Sequence, residues 1–232
     1  MRTYIWTIPT RVFHWLLAIG FATTYILGEF DDLGNLHFAF GAFVGTLIFF
    51  RLIFGLVGPR YSNFKDFQIG FNNQRTFIST YFLKEEKYAG HNPAASVIML
   101  SILLVGIFCS ISGYLLYANE NTAFNVGINE DFLEESHGVL AITFLVLVII
   151  HLSGILADTI FHSKTGTILS IFTGYKNIEA ENTRLNVFHK TFALLWLIIP
   201  FFLFYFAYGL PVNKENNKTE IENHESYEED DD

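Results

Sequence analysis

Five stretches of this chain run for about twenty residues or more with very few charges: residues 9–27, 36–57, 93–117, 133–160 and 187–208. At a rise of about 1.5 Å per residue, each is long enough to cross a hydrocarbon layer about 30 Å thick, so five transmembrane helices are predicted. The punctuation agrees. Pro9 suits a first-turn position, Gly58-Pro59 ends the second stretch and Pro93 opens the third. Between residues 61 and 92, Phe64, Phe67, Phe71, Phe77, Ile78, Tyr81 and Phe82 are interleaved with Lys and Arg. That mixture predicts a short helix on the membrane surface over about 73–83, with a loop as the alternative. From Pro211 the chain turns polar and acidic and is expected to be disordered. The fold class is therefore all-α, a transmembrane helical bundle. It divides into a four-helix membrane domain (1–180), an additional transmembrane helix (181–210) and an acidic tail (211–232). The first span is expected to be retained, because acidic residues and no small-residue cleavage site follow it.

Composition alone would not have given this. At 51% hydrophobic residues the chain is only slightly more apolar than an average soluble domain. Charge adds more. Arg2, Arg11, Arg51, Arg60, Lys65, Arg75, Lys84, Lys87, Lys164, Lys176, Arg184 and Lys190 all lie before the first span, between the second and third, between the fourth and fifth, or, for Arg11, Arg51 and Lys190, in the span ends that adjoin those segments. The other two connections, 28–35 and 118–132, hold only acids: Glu29, Asp31, Asp32, Glu120, Glu130 and Asp131. By the positive-inside rule the amino terminus is cytoplasmic and the acidic tail is outside. A net charge of −9 hides this asymmetry, and no nucleic-acid footprint is present. The single cysteine, Cys109, sits mid-span as a small packing residue; covalent c-type haem, which needs Cys-x-x-Cys-His, is excluded.

Histidine within a membrane span is a functional candidate, and four are placed systematically. His137 and His151 lie 14 residues apart on the fourth span. Two heptads put them on nearly one face, about 21 Å apart. His14 lies about one turn into the first span from its basic end, and His37 lies in the first turn of the second span from its acidic end. The four thus form two levels, His14 with His151 and His37 with His137. Two imidazoles facing each other at one depth suit axial ligation of a haem iron from both sides, a site for one-electron transfer. Structural zinc would want three or four clustered ligands, usually with cysteine or carboxylate. Gly41 and Gly45 follow His37 on the same helical face, and either helix packing or clearance for a porphyrin would explain them. Arg11 and Arg51 are candidates for haem propionates or for anchoring at the membrane edge. His162 and His189 read as interfacial, and His224 as solvated.

At these residues the chain resembles the bacterial cytochrome b561 family, di-haem cytochromes b that include the b-type subunits of nickel–iron hydrogenases. The matching pieces are Trp6-Thr-Ile-Pro-Thr-Arg-Val-Phe-His14-Trp15, Leu36-His37 with Arg51, Gly58-Pro-Arg-Tyr61, Gly90-His91-Asn92-Pro93, and His137 with His151 followed by Thr173-Gly174-Tyr-Lys176. They cover about residues 4–177, so the fifth helix and tail fall outside the resemblance. It implies two b haems held by His14, His37, His137 and His151, and a quinone-binding or proton-handling role for His91 and Asn92 as one option. It also implies a multi-pass protein of the bacterial inner membrane, in contact with lipid, that carries electrons between quinone and an external redox protein such as a c-type cytochrome. A membrane anchor for a hydrogenase or dehydrogenase is the alternative. Quinone-coupled superoxide oxidation and haem-free proton-coupled transport stand as readings of another class.

Overall fold

The computed structural model describes residues 2–82, 88–121 and 127–211. The acidic tail beyond 211, and Leu83, Lys84 and Lys87 of the surface segment, lie outside the described residues. Within them the chain forms seven α-helices and one two-stranded ribbon. In order these are β1 (Thr3–Tyr4), α1 (Ile8–Leu27), α2 (Gly34–Val57), α3 (Phe71–Thr80), α4 (Pro93–Asn121), α5 (Glu130–Phe161), α6 (Thr167–Thr173), β2 (Tyr175–Lys176) and α7 (Val187–Tyr208). By length and composition α2, α4, α5 and α7 can cross a membrane. The fifth expected span, α1, has 20 residues, about 30 Å of helix. It carries Thr10, Arg11, His14, Thr23 and Thr24 and is not among the four helices apolar enough to cross a membrane.

The helix ends depart from the pattern where side chains extend or cap them. α5 starts at Glu130 rather than 133 because the Asn129 carboxamide oxygen accepts from the Phe132 N–H, with Glu130 and Asp131 in the first turn. α4 continues one turn past Tyr117 to Asn121, through polar residues that hydropathy does not count. α7 matches its expected span and opens with a capping box between Asn186 and His189. The surface helix, at Phe71–Thr80, exists but begins and ends earlier than expected.

α2 is the centre of the bundle and packs against α1, α4 and α7, while α5 packs along α4. The core they share is phenylalanine-rich: Phe13, Phe43, Leu47, Ile48, Phe50, Phe54, Leu103 and Phe144 are buried in one cluster. α5 has no extended backbone contact with α1 or α2. Side chains, not backbone approach, therefore join the helices that carry the paired histidines. Halfway between the two histidine levels the rings of Phe21 on α1 and Phe144 on α5 meet, 4.4 Å apart.

The short ribbon was not expected from an all-α pattern. It pairs Thr3 with Lys176 and Tyr4 with Tyr175, and Ile5 N–H and Trp6 N–H both donate to the Gly174 carbonyl. Gly174 is left-handed at φ +89°, and a Cβ there would stand 2.8 Å from the Trp6 carbonyl oxygen, so only glycine fits. Ile5, Trp6 and Tyr61 form a second buried cluster beside it. The scattered motifs around Trp6, Tyr61, Gly90 and Gly174 thus meet as one cap over the basic end of the bundle.

Candidate functional site

At the acidic end, α2 and α5 bring His37 and His137 face to face, with ring centres 6.1 Å apart and planes nearly perpendicular at 88°. A metal atom held about 2 Å from one nitrogen of each ring, with each ring centre about 1 Å further back, would separate the centres by about 6 Å. The pair fits that spacing. The other nitrogen of each ring is already engaged. His37 Nδ1 lies 3.0 Å from the Thr24 carbonyl oxygen, which can only accept, so Nδ1 carries the proton. His137 Nδ1 lies 3.0 Å from Ser112 Oγ and 3.9 Å from Cys109 Sγ. Both rings are thereby arranged to turn an Nε2 lone pair toward a ligand between them.

Two glycines make room for these rings. A Cβ on Gly28 would stand 3.1 Å from His37 Cε1, and one on Gly113 would stand 2.9 Å from His137 Cε1. The two glycines beside His37 on α2 divide between the roles the sequence left open. Gly45 is a packing contact, since a Cβ there would meet Ser110 at 2.9 Å, whereas one on Gly41 would meet nothing within 4 Å. Gly41 therefore borders open space one turn from His37.

At the basic end, His14 on α1 and His151 on α5 lie close enough for their charges to interact. Both are half-buried. His14 Nδ1 is buried without a hydrogen-bond partner among the described residues. No ring contact joins these two histidines among the described residues, so this pair is more open than His37 with His137. Arg51 lies one turn and a half from its end of α2, at the depth of His14, as the ring contact between neighbouring Phe13 and Phe50 at 5.5 Å shows. Its guanidinium is buried, donates to the Ser62 carbonyl at 3.0 Å and stacks on Phe64. Arg11 donates to the Phe172 carbonyl, and its Nε is buried with no partner among the described residues.

His91 is half-buried, with its Nδ1 out of contact with solvent and with Trp6 and Phe67 at ring distances of 5.0 and 4.8 Å. Burial first, then nearby Arg51 and Lys176, hold it well below the usual histidine range, so it is neutral. Asn92 is occupied locally: its side-chain oxygen accepts from the Ala95 N–H and caps α4. His162 and His189, read from sequence as interfacial, both stand at helix ends: His162 caps α5 and His189 ties the start of α7 to the end of α2. His162 Nδ1 is 3.2 Å from the buried Asp158 carboxylate. His189 Nε2 lies 3.0 Å from the Val57 carbonyl oxygen at the end of α2.

The sequence reading missed Ser112, Thr24, Gly28, Gly113 and Lys176. Lys176 is buried, with Nζ 3.4 Å from the Tyr88 and Gly90 carbonyl oxygens. Its place in the matching Thr173–Lys176 motif was the one available signal; the others become visible only when helices are packed.

Comparison with known proteins gives a consistent picture. Residues 5–174 match the family described as prokaryotic cytochrome b561. The probable Ni/Fe-hydrogenase B-type cytochrome subunit of Rhodobacter capsulatus is 31% identical over 50% of this chain and 55% of its own length. The probable Ni/Fe-hydrogenase 1 B-type cytochrome subunit of Escherichia coli (strain K12) is 24% identical over 51% of this chain and 61% of its own. That of Rhizobium leguminosarum bv. viciae is 22% identical over 74% of this chain and 87% of its own. The chain thus spans a little over half the length of the first of these relatives and about three fifths of the second. No solved structure matches.

Proposed function

The chain belongs to the prokaryotic cytochrome b561 family, and from that premise we propose that it is a membrane electron-transfer cytochrome with two b haems. His37 with His137 would hold one, and His14 with His151 the other. Each haem would supply a one-electron iron couple, and a bis-histidine site leaves no open position on iron for a substrate. The protein's own part is to fix ring orientation, through Thr24 and Ser112 at the acidic end, and to exclude water with the phenylalanine core between the levels. The observation that carries this reading is the His37–His137 pair, at a metal-bridging separation with both Nδ1 atoms already engaged. A reduced-minus-oxidised optical spectrum of the purified chain should show a b-type α band. A folded preparation without that band overturns the reading.

Electrons would pass between quinone in the bilayer and an external redox protein such as a c-type cytochrome. The printed names of the relatives favour a second reading, in which the chain is the b-type subunit of a hydrogenase. Co-purification of a hydrogenase from native membranes, against a free pool of the cytochrome, separates the two.

The basic end of the bundle faces the cytoplasm in this proposal, with the amino terminus inside, because basic residues promote retention on that side. In a Cys109→Ala background, Ile128→Cys should react with an impermeant thiol reagent added outside intact cells, and Asn72→Cys should react only after lysis. Both positions are exposed. The opposite labelling pattern would invert the topology.

A further inference from the structure

The acidic-end histidines differ in what holds them. His37 is oriented by a main-chain carbonyl, which any sequence would supply at that place. His137 adds a side chain to such a carbonyl: beside the Cys109 main-chain oxygen it meets the Ser112 hydroxyl. Ser112 is 7% exposed, and its hydroxyl hydrogen is committed to the Cys109 carbonyl oxygen at 2.9 Å, three residues back on α4. With that hydrogen on the carbonyl, Oγ offers His137 a lone pair, and His137 Nδ1 donates across the 3.0 Å contact. The chain Cys109 carbonyl, Ser112 hydroxyl, His137 Nδ1 therefore runs in one direction and selects one tautomer. Gly113, next in sequence, keeps the wall of α4 low enough for the ring to reach Ser112.

We propose that Ser112 is a positioning residue that sets the tautomer of His137 and lowers the reduction potential of the haem at the acidic end; the proposal rests on the two-haem reading above. The physical reason is that an imidazole donating its N–H to an acceptor becomes more electron-rich at the opposite nitrogen. A more basic axial ligand stabilises the oxidised iron more than the reduced iron. His14 Nδ1 has no such acceptor among the described residues, so the two haems of this reading would be held under different ligand chemistry.

The test compares Ser112→Ala with Ser112→Thr in the full chain by haem content and potentiometric titration. The His151→Ala variant, which keeps only the acidic-end haem, identifies that component in the titration. Ser112→Ala should move that component to a more positive midpoint and leave the other in place, and Ser112→Thr, which keeps the hydroxyl, should restore it. If alanine releases the acidic-end haem altogether while threonine retains it, the positioning role stands. Unchanged midpoints with both haems bound would overturn the proposal while leaving the two-haem reading intact. So would loss of the haem from the alanine and threonine variants alike, which would make position 112 a packing site only. Absence of haem from the unsubstituted protein would instead strike at the reading on which the proposal rests.

Discussion

His37→Ala or His137→Ala should each lower the haem content of the purified protein from two b haems per chain to one, and His14→Ala or His151→Ala should remove the other. The two losses should be independent. The levels are about 21 Å apart along α5, and the space between them is filled by Phe144 and Phe21 rather than by a shared ligand. Among the described residues no cluster of three or more metal-binding side chains surrounds either pair. Pyridine haemochrome assay counts the haems, and the double variant His37→Ala with His14→Ala should have none. A single haem in the intact protein, or two haems retained in every single variant, would refute the paired-ligand assignment.

Much of this architecture was readable because a membrane imposes strong rules on sequence. Backbone groups in hydrocarbon must bond within the helix, so each span appears as an uninterrupted apolar run, and α7 was located to the residue. Histidine depth followed from alternation of charge between the connections. What stayed hidden was anything decided by contact between helices. Ser112 looks like any small residue of a span until α5 is packed on α4, and Gly28 and Gly113 look like ordinary helix glycines until an imidazole is placed against them. The amino-terminal ribbon was hidden for another reason. Its two-residue strands are too short for any periodicity, and their pairing closes a loop from Tyr4 to Tyr175 that only the folded chain reveals. The spans of α4 and α5 were placed too short because polar residues at helix ends are helical without being apolar.

Arg51→Met should leave the apoprotein as stable as before, or more so, while weakening haem binding at the basic end by about two orders of magnitude, or about 3 kcal/mol. The reasoning starts from the cost of the native residue. Arg51 is 4% exposed, and a buried guanidinium is destabilising by several kcal/mol unless an anion faces it. Among the described residues no carboxylate lies within ion-pair distance of it; the Ser62 carbonyl and the Phe64 ring are its partners. A neutral carbonyl satisfies one N–H and leaves the charge uncompensated. A haem propionate at the depth of His14 would compensate it, and methionine, of similar length, would remove the charge without opening a large cavity. Arg51→Lys should fall between the two, since lysine keeps the charge but not the forked donor geometry. Haem content and thermal unfolding in detergent, measured on both apo and haem-loaded protein, decide the matter. If Arg51 serves instead as a membrane-edge anchor, the methionine variant will keep both haems, and its stability will fall equally with and without them.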